Sequence, residues 1–252
     1  MNFKELHNQE SPILICNVWD VVSAKAAQKL NFKAIGTSSG AIASMLGYND
    51  GEEISFKELE YIVERITKSV NLPLTVDLEA GYSKNPAEIA ENIIRLAKLG
   101  VVGVNIEDSI VNREREIVDA NIFSNILEEV CSILVQQNQN VFINVRTDTF
   151  LLNIPNAFQE TIDRASKYQK AGAKGLFVPC IVNEKDIETV AKGIELPLNV
   201  MCMPELPEFE TLEKLGVKRI SMGNFVFSKV NRLLENELSQ ILQNNSFKNL
   251  FY

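Results

Sequence analysis

The 252-residue chain has a single histidine, His7, and a single tryptophan, Trp19. With one imidazole, in a polar N-terminal stretch, the chain assembles neither a His-based triad nor a His-rich zinc site. Its four cysteines, Cys16, Cys131, Cys180 and Cys202, are far apart and form no paired motif. That spacing predicts reduced, mostly buried thiols and a cytoplasmic setting. There is no glycine-rich dinucleotide loop. No apolar run approaches the roughly 20 residues of a membrane span. The opening MNFKELHNQE lacks the apolar core of a secretion signal. A long basic run is also missing, and 25 Lys and Arg against 33 Asp and Glu leave a net charge of −8. That balance argues against nucleic acid or an anionic membrane as partner. No proline-rich or low-complexity linker divides the chain, so residues 1–252 are expected to form one domain.

What is present is a repeating pattern in a chain that is 46% hydrophobic. Eight short apolar runs recur, each followed by a small or polar residue: PILICNVWD, KAIGTSSG, PLTVDLEAG, VVGVNIEDS, VFINVRTDTF, KGLFVPC, PLNVMCMPE and VKRISMGN. Their spacing from Asn17 to Ser221 averages about 29 residues. Near-continuous β-branched runs suit strands buried on both faces of a parallel sheet. Helix patterns with their own punctuation lie between them. Ser55 and Glu58 form a capping box, and Asn85-Pro86 reads as an N-cap followed by proline at the first helical position. Gly100, Gly172 and Gly216 follow helical stripes as C-terminal stops. Eight strands alternating with helices over about 250 residues predict an α/β fold, the (β/α)8 TIM barrel. A doubly wound open sheet is the second choice. A helical extension is expected from about residue 225, and the aromatic-rich tail suggests a contact with another subunit.

In such a barrel the strand C-termini carry the active site. They place Asp20, the Ser38-Ser39-Gly40 turn, Asp50, Asp77, Glu79, Glu107, Asp108, Arg146 and Asp148 at one mouth, with Glu205 and Asn224 later. Asp77 and Glu79 are two apart and on a strand face the same way. Converging carboxylates repel unless a cation lies among them. With no histidine or cysteine pair nearby, that cation is expected to be hard: Mg²⁺ or Mn²⁺. The plainer alternative makes each acid a helix cap or an ion-pair partner. Arg146 suits bidentate recognition of a carboxylate or enolate oxygen, or an internal pair with Asp148 or Glu107. Trp19 and Tyr48 are pocket-lining candidates or core. Cys180 is a thiol donor or, more simply, a structural cysteine.

On these residues the chain resembles the isocitrate lyase and phosphoenolpyruvate mutase superfamily, and within it the short phosphoenolpyruvate phosphonomutase-like members. The stretches NVWDVVSAKAAQKLNFKAIGTSSGAIASMLGYNDGE, LPLTVDLEAGYS, GVVGVNIEDS, INVRTDTFL, AGAKGLFVPC and GVKRISMGN follow the family's order across most of residues 11–230. The resemblance implies a Mg²⁺-dependent barrel enzyme that acts on a small anionic 2-oxo acid or its enolate. It also implies a homo-oligomer, usually a tetramer, that exchanges C-terminal helices. It makes Asp77 the direct metal ligand, with Asp50, Glu79 and Glu107 holding the ion through water. Ser38, Ser39 and Gly40 receive the substrate carboxylate, and Arg146 faces the carboxylate and enolate oxygens; Trp19 is added as a substrate-contact candidate from its strand-end position alone. Asp50, Glu107 and Arg146 are the catalytic candidates.

The loop after Asp108 departs from the family. Lyases of this superfamily carry Lys-Cys-Gly-His there, and phosphonomutases a Lys and an Asn-Ser pair. Here it reads SIVNREREIVDANIF, without Cys, Lys or His; Asn112 and Arg113 are the candidate substitutes, and an exposed charged loop is the plainer reading of both. The leading expectation is a lyase that cleaves or forms a C–C bond beside a carbonyl in a 2-oxo or 2-alkylmalate-like acid. A P–C mutase or hydrolase is the alternative, disfavoured because phosphoryl groups want more cations than the strand ends supply. A third reading is a barrel that binds a metal–oxo-acid complex without turnover.

Overall fold

Each of the eight apolar runs forms a parallel strand in this computed structural model, which describes residues 3–251. Met1, Asn2 and Tyr252 of the expected 1–252 domain lie outside the described residues. The chain runs through β1 (Ile13–Val18), α1 (Val21–Lys29), β2 (Ile35–Thr37), α2 (Ser39–Leu46), α3 (Phe56–Thr67), β3 (Leu74–Asp77), α4 (Pro86–Lys98) and β4 (Val101–Glu107). A hairpin of β5 (Ser109–Asn112) and β6 (Glu114–Ile117) follows. Then come α5 (Ala120–Gln136), β7 (Phe142–Arg146), α6 (Ala157–Lys170), β8 (Gly175–Val178), α7 (Glu184–Gly193), β9 (Leu198–Met201), α8 (Phe209–Lys214), β10 (Arg219–Ser221) and α9 (Phe225–Asn244).

The strands close in the order β1-β10-β9-β8-β7-β4-β3-β2. This is a (β/α)8 barrel, and the open doubly wound sheet is excluded by its closure. Parallel strands covered on both faces explain the β-branched runs: Ile15, Val18, Val76, Val104, Val145, Val178 and Val200 are fully buried. Several helices begin where a side chain accepts from their free N–H groups. Ser55 and Glu58 cap each other reciprocally at α3, Asn85 caps α4 before Pro86, and Asn183 caps α7. Asp20, a mouth candidate by sequence, is the N-cap of α1, with its carboxylate accepting from Ser23 N at 2.7 Å.

The N-terminal segment plugs the barrel floor. Phe3 and Leu6 pack with Ile13, Ile15, Ala34 and Phe142. A Cβ at Gly103 would lie 3.1 Å from the Phe3 ring and 3.0 Å from the Phe142 carbonyl, so a side chain there would press on the plug. His7, expected in a polar tail, is instead buried and stacked on Phe142 at 4.2 Å. The cysteines are free, but none is fully buried as expected: three are half-buried and Cys202 is exposed. α9 buries none of its residues, and its Val230, Leu233, Leu234 and Leu238 are exposed. Among the described residues no helix is long and apolar enough to cross a membrane.

Candidate active site

The strand C-termini surround a cavity of about 430 Å³ lined by Ser38, Ser39, Gly40, Asp50, Asp77, Arg115, Arg146 and Cys180, among others. Asn17, Asn105 and Ser221 also line it. Below them Asn144 donates to Asn105 at 2.9 Å and to Asn199 at 3.1 Å. Buried Arg219 donates one bond to Asn105 and keeps Nε and Nη1 without partners. Burial holds its pKa down at about 10, with Asp77 opposing.

Ser38 caps α2, accepting from Ala41 N, and so fixes where the helix N-terminus meets the cavity. Ser39 turns the other way: its hydroxyl and N–H donate to Asp77 Oδ2 at 2.9 and 3.4 Å. The second oxygen, Asp77 Oδ1, is buried without a hydrogen-bond partner. Burial raises the Asp77 pKa, while Arg146 and Ser39 pull it down. A buried carboxylate oxygen without a partner is costly. A hard cation would satisfy it. Among the described residues, no three or more His, Cys, Asp or Glu side chains lie close enough to hold an ion together. Asp77, with its open Oδ1, would offer such an ion one direct ligand, with other positions left to water and substrate, as Mg²⁺ tolerates.

Arg146 ends β7 inside a charged lattice. Its Nε and Nη2 donate to Asp148 Oδ1 and Oδ2 at 2.7 and 3.1 Å, and Nη1 lies 2.9 Å from Glu107 Oε2. Burial disfavours its charge, but Glu107, Asp148 and Asp77 hold its pKa above the usual arginine range. Burial raises the Glu107 pKa against the pull of Arg146 and Arg115. Asp108 points away from the cavity into a structural network, accepting from Thr147, Arg164 and Tyr168 at 2.7, 3.1 and 2.7 Å.

The other candidates divide between this cavity and other places. Glu79 lines a separate cavity of about 250 Å³ with Glu52, Tyr82, Lys84 and Glu107. It accepts from Glu52 N at 2.8 Å, and burial, then Asp50 and Asp77, push its pKa up to about 8. Residue 79 has φ +51°, which breaks the strand alternation that would align it with Asp77. Trp19 does not line the cavity; its ring packs edge-on against Phe227 at 5.1 Å. Tyr48 donates to Glu58 on the exterior. Asn224 lines the cavity and Glu205 is exposed. Cys180 lines it too, at φ +64°, with burial raising its thiol pKa.

The segment after Asp108 differs most from expectation. It is an ordered antiparallel hairpin with Arg113 alone at its apex, at φ +67° and exposed. Asn112 lines the smaller cavity. The hairpin residue that enters the main cavity is Arg115, which sequence reasoning missed. Its Nη1 donates to Glu107 and to Ser109 Oγ (2.8 Å), lies 3.3 Å from Asp148 Oδ2, and its Nη2 is 3.9 Å from Asp50. The available signal was alternation. Ser109 pairs with Ile117 and Val111 with Arg115, so every second residue of SIVNREREI shares one face.

The comparisons with known proteins agree with this geometry. A family model described as phosphoenolpyruvate phosphomutase matches residues 3–242. The chain belongs to this family. The crystal structure of a provisionally named phosphonomutase from Burkholderia cenocepacia J2315 matches with a TM-score of 0.89 at 32% identity, covering 94% of this chain and 98% of that one. An uncharacterized protein of Mycobacterium tuberculosis is 34% identical over 90% of this chain and 84% of its own length. The oxaloacetate decarboxylase of Ectopseudomonas mendocina is 29% identical over 89% of this chain and 78% of its own. The chain is thus an enzyme of the phosphoenolpyruvate phosphomutase family, of the lyase or mutase class.

Proposed function

We propose that the chain cleaves, or in reverse forms, a C–C bond beside a carbonyl in a small 2-oxo acid or 2-alkylmalate-like acid, through an enolate, with Mg²⁺ or Mn²⁺ at Asp77. The observation that carries this reading is the partnerless Asp77 Oδ1 in a cavity shared with a helix N-terminus and two arginines. Asp77 would hold the ion directly, and Asp50, Glu79 and Glu107 through water. The bound ion supplies Lewis acidity toward oxygens on which charge develops. The start of α2 at Ser38, Ser39 and Gly40 receives the substrate carboxylate, because first-turn N–H groups favour anions. Arg146 supplies fixed positive charge behind Glu107 and Asp148. Asp50, half-exposed at the rim, carries the proton between substrate oxygen and carbon.

The likeness to an oxaloacetate decarboxylase supports 2-oxo diacid chemistry. The same proposal takes the substrate, not nucleic acid or a membrane, as partner, and a cytoplasmic homo-oligomer, dimer or tetramer, joined through the exposed apolar residues of α9. The test is turnover of oxaloacetate and a panel of 2-alkylmalates by the full-length protein, read by release of a 2-oxo acid. Activity should vanish with a chelator and return with Mg²⁺. Turnover of none of these acids would sink the reading.

A second reading, P–C bond mutation or hydrolysis on phosphonopyruvate or phosphoenolpyruvate, is favoured by one observation. Arg115 adds a cation that the strand ends alone do not supply. A new phosphorus NMR signal from phosphonopyruvate would decide for it.

A further inference from the structure

We propose that Arg115 grips the distal carboxylate of a diacid substrate and commits this enzyme to malate-type 2-hydroxy diacids, cleaved between C2 and C3. The inference rests on the lyase reading above and narrows its substrate class.

The two arginines of the cavity are not equivalent. All three nitrogens of Arg146 face protein carboxylates: Nε and Nη2 face Asp148, and Nη1 faces Glu107. Arg115 reaches Glu107, Ser109 and Asp148 through Nη1 alone. Its Nη2 stands 3.9 Å from Asp50, and its side-chain hydrogen bonds among the described residues all run through Nη1, not Nε. An arginine side chain with two donors in one plane outside hydrogen bonds is built for a carboxylate. Arg115 is the one that keeps them, with its side chain only 17% exposed.

Position and charge select the ligand. The start of α2 is one anion seat and Arg115 the other. Asp50 lies between them: its carboxyl carbon is 3.4 Å from where a Cβ of Gly40 would stand, and its Oδ2 is 3.9 Å from Arg115. A molecule spanning both seats carries an anion at each end and places its central bond beside Asp50. The two arginines are balanced by Glu107 and Asp148. The far seat therefore suits one carboxylate better than a phosphonate dianion, which wants several cations.

The direction of charge flow then separates the possible reactions. In decarboxylation of an oxo-diacid the distal carboxylate leaves as neutral CO₂, and a cation bound to it holds back the step. In cleavage of a 2-hydroxy diacid the hydroxyl proton passes to Asp50 and the C2–C3 bond breaks. The C2–C3 electron pair moves into the distal carboxylate as an enediolate, and C2 becomes the carbonyl of a 2-oxo acid. Asp50 then returns the proton to C3, so substrate and products balance. The distal group gains negative charge in that step, and Arg115 stabilises the transition state more than the ground state.

The test compares two probes on the full-length protein with Mg²⁺ by calorimetry. Oxalate fills only the metal and α2 side, whereas malate reaches both seats. Arg115→Met should weaken malate by about 30-fold or more and oxalate by less than about 3-fold, and Arg115→Lys should recover part of the loss. Unchanged oxalate binding also shows that the variant is folded. The kcat for a 2-alkylmalate should fall with Arg115→Met by a larger factor than the kcat for any oxaloacetate decarboxylation. Equal losses for oxalate and malate, or no loss for either, would overturn the clamp. Phosphonopyruvate affinity falling as steeply as malate's would overturn the preference for a carboxylate. Absence of Mg²⁺-dependent oxalate binding in the wild type would overturn the lyase reading itself, and the clamp with it.

Discussion

Asp77 and Arg146 sit in one cavity and show opposite states of satisfaction. One Asp77 oxygen has no partner, whereas every Arg146 nitrogen has one. Asp77→Ala should therefore cost activity far more than stability. Losing direct ligation forfeits several kcal/mol of charge stabilisation, on the order of 10³-fold in kcat/KM. The melting temperature should hold or rise, because a buried acid with a raised pKa leaves with it. Wild-type rates in that variant would remove Asp77 from the mechanism. Arg146→Lys should lower both activity and stability. Removing one partner of a buried pair costs roughly 3–5 kcal/mol, and lysine keeps the charge but not the bidentate contact to fully buried Asp148. A melting curve unchanged within error would contradict that. Asp77, Glu107 and Arg146 were legible in the sequence because each ends an apolar run, and a barrel gathers strand ends. Only the same-face alignment of Glu79 with Asp77 was not legible, because a left-handed backbone at residue 79 breaks the alternation.

Element by element, what was readable was local. The eight strands announced themselves by β-branched runs, and α3, α4 and α7 by caps that bond within four residues. The β5–β6 hairpin was not readable: its apex is arginine in a conformation usually left to glycine or asparagine, and most of its residues are charged or polar. Its place is set by a distant contact. A Cβ at Gly51 would come within 2.9 Å of Val111, and Gly51 has φ +111°. Gly51 thus lets the hairpin rest on the turn that carries Asp50, which holds Arg115 and Asp50 at one rim. Gly51→Ala should strain that turn and lift the hairpin, costing roughly 1–3 kcal/mol locally. Hydrogen exchange read by mass spectrometry should speed up across residues 109–117 and stay unchanged in the barrel strands. Unaltered exchange in the hairpin would show that Gly51 does not seat it.

At the scale of the whole molecule, the two ends of the barrel divide the work: charge at the mouth, packing at the floor. The plug around His7 makes the stability of the fold depend on pH in a defined direction. His7 Nδ1 shares a hydrogen bond with the Phe3 carbonyl at 3.0 Å, and its Nε2 is buried without a partner. Burial, then the Arg219 charge, lowers its pKa from 6.5 to about 4. Between those values the unfolded chain takes up a proton that the folded chain refuses. The neutral imidazole therefore contributes stability above about pH 6.5, and that contribution is lost as pH falls toward 4. A shift of that size corresponds to about 3 kcal/mol. Buried acids with raised pKa values, such as Glu79, act in the opposite sense, losing stability as pH rises, so the wild-type curve mixes both. Substitution isolates the imidazole. His7→Leu keeps an apolar body against Phe142 and removes the titration. In urea unfolding at pH 7.5 and 4.5, wild type should lose roughly 2–3 kcal/mol more than the variant on acidification. Equal losses in the two proteins would mean that the floor opens to protons without cost, and that the plug does not seal the barrel.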